Sequence, residues 1–391
     1  MRILQVSSAR AFGGGERHLA DLARGLAQRG HEVFAALAHD SPLRDELDAL
    51  PPRNVHTLAL RNALDIGSAL KLARVALDEK VDVIHAHVAR DYTLASLAAR
   101  RATPARLVIT RHVLFPLSRL HRRALSNVAR VIAVSDAVAR SLRAQNLFDP
   151  EKIRVVTNGV DVRRFADARE EFERSVEKSD KSVEESEKFA EKYERESPEG
   201  GNARRPLRVG IVGELSEVKG QEDFVRAAAV VAERFGDAVE FVIVGDDATR
   251  TGEYRARVER LVAELGLKER VRLLGRLGEV AGVLASLDVF VSASRTESFG
   301  MAMAEALACG VPVVATATEG AREIVADGLT GLIVPIGDAQ ALAAAVISLL
   351  QDGPRRLALG ARARESARAR FGLGRMIEAT ERVYAEALGL R

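Results

Sequence analysis

The 391-residue sequence predicts an α/β protein built from two doubly wound domains. Two observations carry that expectation. Short apolar strands alternate with helical stretches from Arg2 to Asn158, and after a charged interruption the same alternation restarts at Pro206 and continues to Pro335. A third observation is the stretch Thr296 to Pro312, TESFGMAMAEALACGVP, which sits in the second series as a loop and helix between two strands. Strands buried on both faces of a parallel sheet read as near-continuous apolar runs joined by crossover helices, which is the pattern in both series.

In order, the first series reads RILQVSS, a glycine turn, a helix to Gly30, EVFAALA, a helix, VHTLAL, a helix and DVIHAH. It goes on through a helix, RLVITRH, a basic helical stretch, RVIAVS, a helix and KIRVVTN. The opening MRILQVSS has one Arg and only a short mixed apolar run, so it reads as a first strand and lacks the apolar core of a secretory signal. Gly13, Gly14 and Gly15 follow it, and three glycines at a helix start let backbone approach a phosphate or sugar closely. Their spacing is not the G-x-G-x-x-G of a dinucleotide fingerprint, which speaks against a nicotinamide-dependent enzyme. The second series supplies LRVGIVGEL, EFVIVG, VRLLG, LDVFVSAS, VPVVAT and TGLIVP. After Pro354 come an Arg- and Ala-rich helix to Phe371 and a last amphipathic helix from Arg375 to Leu388. The domains expected are therefore 1–168 and 205–371.

Residues 169–204 are a different material. Phe172, Val176, Val183, Ala190 and Tyr193 form one weak apolar stripe, with Ser179 and Ser186 filling two of its positions. Seven basic and eleven acidic residues over 169–196 give net −4. A solvated interdomain helix followed by a flexible SPEGGNARRP linker is expected; the two stripe serines make a coiled-coil partner a weak alternative.

With 47% apolar and 29% charged residues the composition is that of a soluble globular protein, and no apolar window is long enough for a membrane-spanning helix. The one cysteine, Cys309, excludes an internal disulfide and reads as a small buried residue, so a cytoplasmic location is expected. Net charge is only +3 although the pI is about 9.1, so the placement of basic residues matters more than their sum. Arg100, Arg101, Arg106, Arg111, Arg119, His121, Arg122, Arg123 and Arg130 interleave with Leu114, Phe115, Leu117, Leu120 and Leu125. That mixture suits peripheral contact with an anionic membrane surface, or a solvated helix with an ordinary buried face. Nucleic acid is not expected, because no aromatic stacking positions accompany the charge.

In the Thr296–Pro312 stretch, Thr296 or Ser298 can cap a helix of about three turns whose Phe299, Met303 and Leu307 share a face and which Gly310 and Pro312 end. Ser298, Phe299, Gly300 and Met301 would offer N–H groups to an anion, with Gly300 allowing its close approach. Glu297 ahead of the helix and Glu305 within it would reach a polyol and a ribose; the plain alternative is a loop residue and a solvated one.

With these pieces in place the chain resembles the retaining glycosyltransferases of GT-B architecture, the large family-4 (group 1) set that uses nucleotide sugars. The matching segments are FGGGERHLADLARGLAQRGHEV, DVIHAH, VITRH, RVIAVSDAVARSL, VVTNGVDVRRF, VGELSEVKG, FVIVG, LLGRLGEV, TESFGMAMAEALACGVPVVAT and GLTGLIVP, in that order. The resemblance implies two Rossmann-like domains facing across a cleft, the first (1–168) binding acceptor and the second (205–371) nucleotide sugar. It also implies a C-terminal helix, 374–391, crossing back to the first domain. It implies transfer of a sugar, with retention, to a glycan or lipid-linked acceptor in polysaccharide or glycolipid synthesis, with no metal or other cofactor. Glu297 is implied to contact the donor sugar, Glu305 the ribose, Lys219 the diphosphate, and His112 the reacting sugar. Gly14, Gly15 and Gly213 are implied to line the donor with Ser298, Phe299, Gly300 and Met301. Glu214 stands after Gly213 where many relatives have arginine. An epimerase of the same architecture and a non-catalytic nucleotide-sugar-binding protein are the alternatives. His85 and His87 lie on one strand face without an evident third metal ligand, and Asp246 and Asp247 at a strand end read as a turn or helix cap.

Overall fold

The computed structural model describes residues 1–118, 121–179, 205–247 and 251–390. Its strands are β1 Arg2–Ser7, β2 Glu32–Ala38, β3 Val55–Leu58, β4 Val83–Ala86, β5 Arg106–Arg111, β6 Val128–Ala133, β7 Ile153–Val155, β8 Leu207–Val212, β9 Val239–Val244, β10 Val271–Gly275, β11 Val289–Ser292, β12 Val313–Thr316 and β13 Gly331–Val334. The α-helices of the described residues begin with α1 Gly14–Gln28, α2 Ile66–Asp78, α3 Ala89–Arg101, α4 His121–Ala124, α5 Asp136–Gln145, α6 Val162–Ser179 and α7 Gln221–Phe235. They continue with α8 Glu253–Glu264, α9 Ala281–Ser286, α10 Met301–Ala308, α11 Glu319–Ile324, α12 Ala339–Gln351, α13 Gly353–Arg370 and α14 Leu373–Leu388.

The chain forms two compact units. The first is Met1–Gly159 with Glu297–Met301 and Phe371–Arg391; the second is Val160–Thr296 with Ala302–Arg370. Each holds one parallel sheet, ordered β3-β2-β1-β4-β5-β6-β7 in the first and β10-β9-β8-β11-β12-β13 in the second. Both are doubly wound, Rossmann-like units, and the architecture is GT-B. In each, strand order reverses beside the first strand, between β1 and β4 and between β8 and β11, and ligands of such sheets bind where the carboxyl ends part.

The first unit's core joins Ile3, Leu19, Leu22, Val108 and Ile132 to Met376, Ile377, Val383 and Tyr384 of α14. α14 is thus part of that unit's interior, and Gly25 of α1 permits it: a Cβ there would stand 2.1 Å from Ile377 Cδ1. Polar contacts frame the helix: Arg29 forms an ion pair with Glu381, whose carboxylate also meets His31 Nε2 at 2.7 Å, and Arg130 and Arg154 form ion pairs with Glu386. The second unit's core gathers Val209, Phe224, Phe241, Val289, Val314 and Leu342.

Three expectations need correction. Residues 160–168 belong to the second unit, and α6 begins at Val162 and runs through Arg169, so the boundary lies near 160 rather than 168. Arg169 of α6 donates to Ala285 O at 2.6 Å and Leu287 O at 3.0 Å, which ties the start of the charged segment to the second unit instead of leaving it solvated. Its remainder, 180–196, and the linker lie outside the described residues, as do Arg119 and Leu120 of the basic run. Finally, α10 starts only at Met301, because Gly300 adopts φ +98° ahead of it, so the helix is two turns long and neither Thr296 nor Ser298 caps it.

Candidate functional site

In the first unit the β1–α1 turn places Gly14 and Gly15 at the head of α1, where Glu16 Oε2 accepts from Gly13 N at 3.0 Å. A Cβ on Gly15 would lie 3.7 Å from His112 Cγ, and one on Gly14 3.3 Å from Met301 Cγ, so the bare turn lets both residues sit against α1. Ser298 is held by its carbonyl, which accepts from Ser135 Oγ at 2.6 Å, and Phe299 is buried edge-on against Phe371. Glu297 is partly exposed.

His112 follows β5, His87 follows β4, and His18 lies on the inner face of α1. The rings of His18 and His112 are 5.0 Å apart, those of His87 and His112 5.8 Å, and those of His85 and His87 4.1 Å. A chain of hydrogen bonds orders them. Gln5 Nε2 donates to Tyr384 Oη (3.3 Å), which is paired with His85 Nδ1 (2.6 Å), and His85 Nε2 is paired with Thr110 Oγ1 (2.7 Å). With its Nε2 on Tyr384, the Gln5 amide turns Oε1 toward His87 Nε2 (2.7 Å), a pairing that suits the His87 tautomer protonated at Nε2. His18 Nδ1, His87 Nδ1 and His112 Nε2 are buried without a hydrogen-bond partner. Burial lowers His18 to about 4, against a smaller opposing contribution from Asn158, and holds His85, His87 and His112 well below the usual imidazole range. At neutral pH His112 is thus an uncharged imidazole, suited to hydrogen-bond a hydroxyl rather than to neutralise phosphate. Nearby, Asp91 Oδ2 accepts from Ser8 N at 2.7 Å, and burial pushes that carboxyl up to about 6.

In the second unit the segment after β8 is shaped by backbone contact. Gly213 N donates to Val244 O (2.9 Å) and Leu215 N to Asp246 O (2.8 Å), which carries the chain past the strand end. The side chain of Lys219 folds over Gly213, with Cδ and Cε 3.8 Å from where a Cβ would stand. Gly220, φ +69°, then opens α7. The buried Gln221 locks the loop, donating from Nε2 to Glu214 O (2.9 Å) and accepting at Oε1 from Ser216 N (3.3 Å). The Glu214 side chain is exposed. Beyond β11, Thr316 Oγ1 donates to Ser294 O at 2.5 Å, and Arg295 N donates to Val218 O at 2.8 Å, tying this strand end to the Lys219 loop. Glu305 is half-buried on α10, whose Met303 and Leu307 are buried with Cys309. Asp247 Oδ2 accepts from Arg255 N at 2.8 Å, a cap on α8.

The predicted residues thus fall into two groups, His112, Gly14, Gly15 and Glu297–Met301 in the first unit and Gly213, Lys219 and Glu305 in the second. Sequence reasoning missed His18 and Gln221. His18 sits among the apolar residues of α1, and only its meeting with residues from two other βα turns distinguishes it.

The family model described as Glycosyltransferase Family 4 matches residues 12–164, and the one described as Glycosyl transferases group 1 matches residues 192–366. The chain is 29% identical to the N-acetyl-alpha-D-glucosaminyl L-malate synthase of Bacillus anthracis, over 94% of this chain and 92% of the relative. It is 28% identical to the D-inositol 3-phosphate glycosyltransferase of Corynebacterium aurimucosum, over 97% and 92%. Among solved structures, Anabaena Alr3699/HepE in complex with UDP-glucose superposes with a TM-score of 0.79 at 23% identity, covering 98% of this chain and 99% of that one.

Proposed function

The chain belongs to the group 1 glycosyltransferases, enzymes that transfer a sugar from a nucleotide sugar, and from that premise we propose that it does so with retention at the anomeric carbon. One observation supports the reading most directly: Lys219 and Glu305 follow β8 and β11, the two strands that flank the reversal of strand order in the second unit. There Lys219 takes the diphosphate and Glu305 the ribose, while Glu297 and His112 of the first unit act on the sugar. Gly213, Gly14, Gly15 and the Ser298–Met301 backbone complete the donor contacts. The diphosphate leaves through an oxocarbenium-like state and its oxygen serves as base for the acceptor hydroxyl attacking from the same face. Lys219 and backbone N–H groups carry the phosphate charge, so transfer proceeds without a metal and persists in chelator. The exposed Glu214 does not contribute a cation.

The acceptor we propose is a glycan or lipid-linked hydroxyl. The names of the two full-length relatives favour a second reading, a small anionic acceptor such as a hydroxy acid or an inositol phosphate, and an acceptor panel separates the two. Donor consumed without any acceptor, with the epimeric nucleotide sugar as product, would identify an epimerase instead; donor binding with neither transfer nor hydrolysis would identify a binding protein.

The two glutamates test the assignment. Glu305→Ala is expected to weaken nucleoside diphosphate and intact donor alike, by roughly ten- to hundredfold for one charged hydrogen bond. Glu297→Ala should leave diphosphate affinity unchanged and lower turnover by a similar factor, because its contact is with the sugar. Calorimetry and initial rates read the two effects; normal binding and parental rates in both variants would overturn the reading.

We also propose that the first unit touches anionic membrane. Val113 (39% exposed) and Phe115 (65% exposed) precede the exposed Arg122 and Arg123. Arg111 and Arg130 do not contribute, since the first is buried against Phe115 O and the second pairs with Glu386. Among the described residues no helix is long and apolar enough to cross a membrane. Each exposed arginine near an anionic surface contributes about 1 kcal/mol. The double variant Phe115→Ser/Arg122→Glu is therefore expected to lose at least tenfold in sedimentation with vesicles containing phosphatidylserine; unchanged sedimentation would remove this contact.

A further inference from the structure

We propose that His18 Nδ1, His87 Nδ1 and His112 Nε2 form a binding site for a borderline transition-metal dication, Zn²⁺ foremost, and that metal held there inhibits transfer by occupying His112. The three histidines can each offer one ligand atom such that all lie within 4.8 Å of one another. Buried polar atoms are rarely left unpartnered, and here three ring nitrogens of one cluster are. For His87 the hydrogen-bond chain settles more than position. With its Nε2 proton given to Gln5 Oε1, Nδ1 presents a bare lone pair, and the Gln5 carbonyl stands where the outer hydrogen-bond acceptor of a metal-bound histidine belongs. Gln5 is itself fixed by Tyr384, so the ring's orientation is set from the interior of the fold.

The donor set selects the ion. Three imidazoles without a carboxylate or thiolate suit Zn²⁺, Co²⁺, Ni²⁺ or Cu²⁺ and are poor ligands for Mg²⁺ or Ca²⁺, which require oxygen. Zn²⁺ forms bonds of about 2.0–2.1 Å to imidazole and leaves a fourth, tetrahedral position for water. Tetrahedral geometry at that bond length brings the nitrogens to roughly 3.4 Å from one another, so the rings close in by tilting. Because Nε2 of His112 becomes a ligand, it can no longer accept a hydrogen bond from a sugar hydroxyl.

Binding and inhibition are read separately, since the second rests on the proposed role of His112 and the first does not. The full chain is stripped with chelator and titrated with Co²⁺, whose visible absorption reports a tetrahedral site, and then with Zn²⁺ to displace it. One equivalent is expected for the parent and for His39→Gln, a control at an exposed histidine. His18→Gln and His87→Gln should each lose at least tenfold in affinity, and Gln5→Ala, which touches no metal, about tenfold through the orientation of His87. His87→Cys, which restores a ligand, should regain binding with an added thiolate charge-transfer band, a readout that a merely misfolded variant would not give. No Co²⁺ spectrum in the parent, or the parental spectrum in both glutamine variants, overturns the site. Initial rates are then expected to fall at least tenfold with Zn²⁺ bound, to recover with chelator and to ignore Mg²⁺. A parent that binds one Zn²⁺ and transfers sugar at an undiminished rate overturns the inhibition, and a parent inactive with every donor overturns the transfer reading while the binding result stands.

Discussion

Lys219→Ala is expected to lower kcat by roughly 10²–10³-fold, about 3–4 kcal/mol, with a smaller loss of nucleoside diphosphate affinity. Charge on the diphosphate grows as the glycosidic bond breaks, so a cation placed beforehand gains most in the transition state. The placement is built by the fold. Lys219 N donates to Ser216 O at 3.0 Å, its stem lies over the bare Gly213, and Gln221 pins the loop on both sides of Leu215. Lys219→Arg should recover part of the rate by keeping the charge. The arginine fork differs in reach from the ammonium point charge, so full recovery is not expected. Stopped assays of product formation, with thermal melts to certify folding, decide the matter: a parental kcat in a folded Lys219→Ala protein would remove the diphosphate role.

Much of this was legible in the sequence, and the reason is physical. Strands such as β2, β11 and β12 are apolar, β-rich runs flanked by turn residues, because both of their faces are buried. The boundary at 168 failed for the complementary reason. Val162 to Ala168 continues into the charged stretch without a Gly or Pro to mark a change, and only its contacts assign it to the second unit. The start of α10 failed because cap residues and a helical face are local signals, whereas Gly300's positive φ is set by the loop's path.

The site divides the same way. Glu297, Glu305, Lys219 and His112 stand in recognisable segments. The histidine cluster does not, because His18 lies within α1 while His87 and His112 follow β4 and β5, and the sequence alone sets His87 beside His85 on one strand face. His85 instead faces Tyr384 and Thr110 and orients the cluster from behind. Gln221 is invisible for a related reason: a polar residue at a helix start reads as exposed, yet it is fully buried and satisfied by the backbone of its own preceding loop.

Gly220→Ala is expected to destabilise the protein by roughly 2–4 kcal/mol, combining a clash of about 1–3 kcal/mol with about 1 kcal/mol for a side chain at positive φ. A Cβ at this position would stand 2.1 Å from Ala293 O, and that contact is with backbone, so no rotamer relieves it. Gly252→Ala provides the comparison. Gly252 has the same left-handed conformation, φ +69° and ψ 14°, but nothing lies within 4 Å of the added carbon, so only the conformational cost of about 1 kcal/mol should appear. Urea unfolding of the two variants separates steric from conformational cost, and equal losses would show that the close approach of Gly220 to the end of β11 is not rigid. The Gly220→Ala protein that remains folded should also turn over more slowly, because relieving the clash must move either Ala293 or the loop that carries Lys219. A fully active Gly220→Ala enzyme with parental stability would show that the Lys219 loop does not depend on this contact.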